Sequence, residues 1–362
     1  MVQPWRTPMR RFLFSLLFLV PTMSLSAHTF VYVSLAAEQK INVYRLDTAT
    51  GGLTPVGSIA VESAPGSLAI DPMQKVLFAS LRTNSKLASF AIDSDTGKLK
   101  HLSTIALPKG ENAASVGTDR TGRWLLSASY MGGTVVVHRI KEDGTVETPA
   151  IQTEKTAKTA HCITISRDNR FVFVPHVTPN AVFQFRFDAE TGKLTRVGEA
   201  KGGTAKAGPR HLALHPTKNL AFASDESGSS ITAYRLDAEG LTPMQTVSTL
   251  PDDFKANNTT AEVKVHPKGK FVWVSNRGHE SLAGFAIDAE TGKLRAIGHT
   301  PTETTPRSFD VEPDGQFAFG AGEGSGKLAV FRVNIETGQL TRLHTYPLGK
   351  SLTWVLAAKF GR

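Results

Sequence analysis

Residues 208–234 read GPRHLALHPTKNLAFASDESGSSITAY. Short alternating runs broken by turn residues make this a strand, a tight turn, a second strand, a polar loop and a third strand. Arg210 and His211 stand where the first strand begins, and Glu226 stands in the loop after the second. In an antiparallel meander those two places share one edge of the sheet. A cation, an imidazole and a carboxylate are therefore expected side by side.

Working outward, the same pattern recurs. A turn of the form Asp-x-x-Thr-Gly-x-Leu, degraded in places, starts at Asp47, Asp93, Asp188, Asp237, Asp288 and Asn334 and thins to Glu142-Asp143-Gly144. The mean spacing is about 48 residues. Its Asp and Thr side chains bond the local backbone while Gly supplies a positive φ. Before each turn comes a segment such as GSLAIDP, ASVGTDR, HCITISR, RHLALHP, AEVKVHP or RSFDVEP. With the strands between, every unit holds four strands, the signature of a propeller blade. The first strand, near Thr29, has no inner partner before it, whereas residues 352–358 supply one at the far end. The expected fold is all-β: a seven-bladed β-propeller closed by pairing N- and C-terminal strands in one blade. Two packed sandwiches are the competing architecture.

The chain has 362 residues, a formal charge of +9 and one cysteine. Arg6, Arg10 and Arg11 precede an apolar run from Phe12 to Val20, and small residues follow up to Ala27. This is the order of a secretory signal, and the run is short for a bilayer span. The expected organisation is a signal peptide over 1–26 and a single propeller over 27–362. The remainder, carrying +6, would be periplasmic, without stable membrane insertion after cleavage. A lone cysteine makes no intramolecular disulfide, and Cys162 is expected in the core. No Lys/Arg run, zinc spacing or basic–aromatic interleaving is present, which argues against nucleic acid and a bound metal. The oligomeric state is left open.

In a propeller the first strands of all blades line the central channel and run the same way, so their starts form one ring. Those starts are Gly66, Ala114, His161, Arg210, Ala261, Arg307 and Thr353, and the next position adds His211 and Glu262. The loops after the second strands return to the same face with Arg82, Tyr130, His176, Glu226, Arg277 and Glu323. His161, Arg210, Glu226 and Arg307 are the expected catalytic group. His211, Arg277, Glu262, Tyr130, His176 and Arg82 are the expected substrate-binding residues.

The strings GPRHLALHP with SDESGSSITAY, AEVKVHPKGKFVWVSNRGHESLAGF and PTETTPRSFDVEPDGQFAFGAG closely resemble the seven-bladed propeller lactonase family, which includes propeller-type 6-phosphogluconolactonases and carboxymuconate cyclases. The resemblance covers essentially the whole chain after the leader. It implies hydrolysis of a small anionic lactone without a cofactor, with the family's site residues falling on His161, Arg210, Glu226 and Arg307. Where relatives often carry a second histidine two residues before His161, this chain has Thr159, and His176 stands where many have Asp. His161 and Glu226 can exchange the roles of base and acid at this level. Cycloisomerisation of a carboxylated muconate, or a propeller that only binds a ligand or an envelope protein, are the alternatives.

Overall fold

The alternating segments form seven four-stranded antiparallel sheets in the computed structural model, which describes residues 1–5 and 27–361. The proposed signal peptide lies almost wholly outside the described residues. Six sheets are continuous in sequence; their innermost strands are Pro65–Ile70, Ala113–Thr118, Thr164–Ile165, Pro209–Leu214, Thr259–Val265 and Pro306–Val311. The seventh places Leu352–Phe360 innermost, paired with His28–Leu35, so the two ends of the chain meet in one blade. The expected closure is thus observed, and the first strand of the chain is not left as the inner edge of a three-stranded blade.

The core lies between blades rather than in a single centre. Second- and third-strand side chains of adjacent sheets interlock, as where Phe222, Ile231 and Ala233 meet Val272, Val274 and Phe285. The Asp-x-x-Thr-Gly turns fasten the rim. In the turn at Asp188 the carboxylate accepts bonds from Glu190 N and Thr191 Oγ1, at 2.9 and 2.6 Å. Gly192 follows at φ +74°, where a Cβ would come within 2.6 Å of Trp124 on the preceding blade. Glycine is required there for conformation and for close approach.

The inner strands carry the feature that makes a site. Pro209 pairs with Asp225 but His211 pairs with Ser224, which leaves Arg210 as one extra residue in a β-bulge. Pro306 and Ser308 flank Arg307 in the same way, and Ala113 and Ser115 flank Ala114. Register also shifts at Pro65/Leu68, Thr260/Val263 and Ser34/Leu35, the last leaving Thr353 opposite no partner. A bulge turns its extra side chain out of the ladder. Here the ladder's head opens on the channel mouth, so the ring read from the sequence is a ring of bulges.

One test of closure follows. A chain ending at Ser351 lacks the inner strand of the shared blade and exposes Val31 and Val33, both fully buried in the intact ring. It is expected to lose cooperative thermal unfolding and soluble yield, read by circular dichroism and size exclusion; a native-like transition would contradict the closure.

Candidate active site at the channel mouth

Three consecutive blades contribute a chain of buried polar side chains. His161 and Arg210 occupy the heads of the third and fourth inner strands, and His211 and Glu262 stand one step deeper on the fourth and fifth. His211 Nδ1 is 2.7 Å from Glu262 Oε1, and His211 Nε2 is 3.1 Å from His161 Nδ1. All three are nearly sealed from solvent. Burial acts to raise the Glu262 carboxyl, but His211, Lys264 and Arg210 outweigh it and hold it at about 2. It is therefore an acceptor only. Burial depresses both histidines, that of His161 well below its ordinary value, with Arg210, His211, Arg307 and Arg82 adding repulsion.

Burial favours neutral imidazoles, although Glu262 opposes it at His211, and two neutral rings then assign the protons. A neutral His211 donates Nδ1–H to Glu262, which leaves its Nε2 as acceptor. His161 must then donate Nδ1–H to His211, so the lone pair of a neutral His161 is on Nε2. That nitrogen has no hydrogen-bond partner among the described residues, and Tyr130 lies edge-on to the ring at 5.5 Å between centroids.

Around this base is a cluster of guanidinium groups. Arg210 is 1% exposed; its Nε is 3.6 Å from Glu226 Oε2, and neither Nε nor Nη1 makes a hydrogen bond within the protein. Glu226 is held through Oε1 by Arg277 Nη2 at 2.5 Å, and Arg277 also donates to Thr260 O. Glu226 Oε2 and Arg277 Nε are likewise buried without a hydrogen-bond partner. Across the mouth Arg307 Nη1 is 3.4 Å from Glu323 Oε2. Burial lowers Arg210 to about 9, helped by Arg307 and Arg277 and opposed by Glu226 and Glu262, so it stays cationic at neutral pH. Arg82 is lowered by burial and by Arg307, with Glu323 and Tyr130 opposing, which ties it to the same cluster. Arg82 also borders a hollow of about 480 Å³ lined with Thr83, Glu111, Asn112, Met131 and Thr353, where the Glu111 carboxylate accepts a bond from Thr134 Oγ1. A Cβ on Gly66 would sit 2.8 Å from Arg82 Cδ, so glycine at that bulge leaves the arginine room.

Nine of the ten expected residues meet here; His176 does not. Ala160 bridges to His176, whereas Pro209 pairs with Asp225 and Thr260 with Asn276. Val177, not His176, therefore matches Arg82, Tyr130, Glu226, Arg277 and Glu323. One step along a strand reverses the side chain. His176 points into its own blade, its ring centroid 4.2 Å from that of Phe183 with the planes tilted by 33°, and with Nδ1 2.8 Å from Val174 O and Nε2 3.1 Å from Thr156 Oγ1. Cys162 also departs from expectation. It is half-buried on the channel wall, with Sγ 3.5 Å from Thr164 Oγ1, rather than in the core. Lys264 and Asp310 were missed: Lys264 Nζ lies 3.3 Å from Asp310 Oδ1, below Glu262. Their signal was the two-residue step from Glu262 and Ser308 along the same channel-facing rows. Among the described residues no three His, Cys, Asp or Glu side chains form a metal-binding group.

A propeller whose channel mouth gathers a buried base and four arginines has the form of a small-molecule enzyme site. The family model described as lactonase, 7-bladed beta-propeller, matches residues 29–357, and the chain belongs to that family. It is 33% identical over 328 residues to a 6-phosphogluconolactonase of Yersinia enterocolitica, covering 90% of this chain and 97% of the relative. With a 6-phosphogluconolactonase of Pectobacterium carotovorum it shares 34% over 283 residues, 77% and 83% of the two chains. In fold it is similar to the periplasmic gluconolactonase of Pseudomonas aeruginosa, with a TM-score of 0.84 and 24% identity over 93% of this chain and 99% of that one.

His176 gives a pH prediction. Burial, the largest cause, lowers it to about 4 from 6.5. The folded state resists a proton that the unfolded state takes up, so this contribution is complete above pH 6.5 and is lost as pH falls towards 4. The loss should approach ~3 kcal/mol. Urea unfolding at a series of pH values should show the decline, and His176→Gln should flatten it; parallel curves for the two proteins would refute the assignment.

Proposed function

We propose that this lactonase hydrolyses an anionic sugar lactone at the channel mouth, with His161 as general base. The observation that carries the proposal is the Glu262–His211–His161 hydrogen-bond series, which leaves His161 Nε2 without a partner in the same cluster as Arg210, whose Nε and Nη1 make no hydrogen bond among the described residues. Lactone hydrolysis needs those two elements together. His161 Nε2 takes a proton from water as its oxygen bonds to the carbonyl carbon. The carbonyl oxygen becomes an oxyanion, which Arg210 stabilises through charge-assisted bonds. Collapse breaks the ring C–O bond, and His161 returns the proton to the departing ring oxygen, giving a hydroxy acid.

Glu226 has its Oε1 engaged by Arg277 and faces Arg210 with Oε2. In this scheme it orients Arg210, and His161 serves as both base and acid. Arg82 borders the hollow and lies within the electrostatic reach of Arg307, and the two suit a phosphate or carboxylate on the far end of the substrate. The relatives named 6-phosphogluconolactonase, about one third identical, support a sugar lactone. The leader pattern supports export, and with it a periplasmic enzyme meeting an anionic lactone there.

The test is acid release from 6-phosphogluconolactone, gluconolactone and a carboxylated muconolactone, followed with a pH indicator. His161→Gln should lower kcat by ~10²–10⁴-fold, the usual worth of a general base. Arg82→Met should raise KM for the phosphorylated lactone at least about tenfold while leaving gluconolactone within about twofold, the mark of lost ground-state binding. A His161→Gln enzyme within tenfold of the parent would remove His161 from the role. Loss of diene absorbance without acid release would point to cycloisomerisation instead.

A further inference from the structure

We propose that Glu262 is a positioning residue for the reaction: acting through His211, it fixes the tautomer and strengthens the basicity of His161. Glu262, His211 and His161 then form a relay assembled from three successive blades. The proposal rests on the reading of His161 as base, and goes beyond it by placing the control of that base two side chains away.

The fold itself shows what this channel layer needs for stability. At the positions equivalent to Glu262, Ser67, Ser115 and Ser308 accept bonds from the backbone N–H groups of Val116, Ile163 and Val355 on the next inner strand. A hydroxyl suffices to stitch blade to blade. Four blades lack the serine: Cys162 and Trp354 stand at two of them, and His211 and Glu262, a buried imidazole and a buried carboxylate whose desolvation opposes folding, stand at two adjacent ones. Glu262 Oε2 has no hydrogen-bond partner at all. Glu262 Oε1 accepts from the adjacent Val263 N at 3.1 Å and makes its one side-chain hydrogen bond, at 2.7 Å, with the His211 nitrogen that dictates the proton position on His161.

The surrounding charges fit such a role. Arg210 and Lys264 face Glu262 and keep it ionised, and Asp310 lies against Lys264 on the far side. Cys162, Trp354 and His161 complete the shell about the Glu262–His211 pair. His161 itself faces Arg210, Arg307, Arg82 and Tyr130. Every fixed formal charge facing His161 directly is positive, so Glu262 supplies the negative charge through which the imidazolium formed during turnover is stabilised. Without it, His161 would hold a proton less readily.

The experiment compares the full chain with E262Q and E262D. Loss of charge in E262Q should reduce kcat about 10–100-fold, as for carboxylates that orient ligand histidines. KM should stay within about twofold, since no ground-state contact is removed. The acid limb of the kcat/KM profile, set by His161 in the free enzyme, should move to lower pH. E262D keeps the charge and should retain the parent acid limb. A lowered Tm with parent kcat and acid limb would make Glu262 structural only and overturn the relay. Nitrogen-15 NMR of the unaltered protein tests it without substitution: His161 and His211 should both be Nδ1–H tautomers, and an Nε2–H His161 would overturn it. The two readings separate cleanly. An active His161→Gln enzyme defeats His161 as base, whereas an inactive one combined with an unchanged E262Q defeats the relay alone.

Discussion

The site depends on one backbone constraint: an extra residue at the head of the inner strands. A regular ladder would direct Arg210 and Arg307 along the pleat of their own sheets. The bulges between Pro209 and His211 and between Pro306 and Ser308 turn both into the mouth. Repeated around a closed ring, the same device delivers a side chain from every blade to one place. Gly66, Ala114 and Thr353 occupy bulges with small groups, leaving space beside the positions that carry charge.

That geometry creates an electrostatic problem which the second layer answers. Arg82, Arg210, Arg277 and Arg307 converge where solvent is largely excluded, and only Glu226 and Glu323 oppose them directly. The excess of positive charge favours an anionic ligand and adds to burial, the larger cause, in depressing His161, which favours the neutral imidazole that can accept a proton. Below, Lys264 lies 3.3 Å from Asp310 and within the field of Glu262, so the deeper channel does not add to the excess. Rigidity comes from the blades, whose interlocked apolar faces leave the mouth residues few alternative positions.

The seven-fold repeat was legible because Asp, Thr and Gly are demanded by a turn that recurs at every rim. The ring of inner-strand heads was legible for a related reason: a fixed period places equivalent residues on one face. What escaped were the consequences of single-residue steps. His176 and Val177 are neighbours in sequence, and only the pairing of Ala160 with His176 decides which one faces the mouth. Cys162 reads as apolar in any hydrophobicity pattern, yet is only half-buried, at the position equivalent to His211 and Glu262 on its own inner strand. Lys264 and Asp310 lie two residues below the strand positions singled out from the sequence, and their pairing joins residues 46 positions apart on neighbouring blades. The contact of Glu262 with His211 is of the same kind, invisible until the ring closes.

The most direct measurement is a crystal structure of the enzyme with 6-phosphogluconate, the hydroxy acid that hydrolysis of the phosphorylated lactone would leave. The account predicts its carboxylate on Arg210, with one oxygen about 3 Å from His161 Nε2, and its phosphate towards Arg82 and Arg307. A product bound in the reverse orientation, with the phosphate on Arg210, or bound only away from the channel mouth, would contradict it.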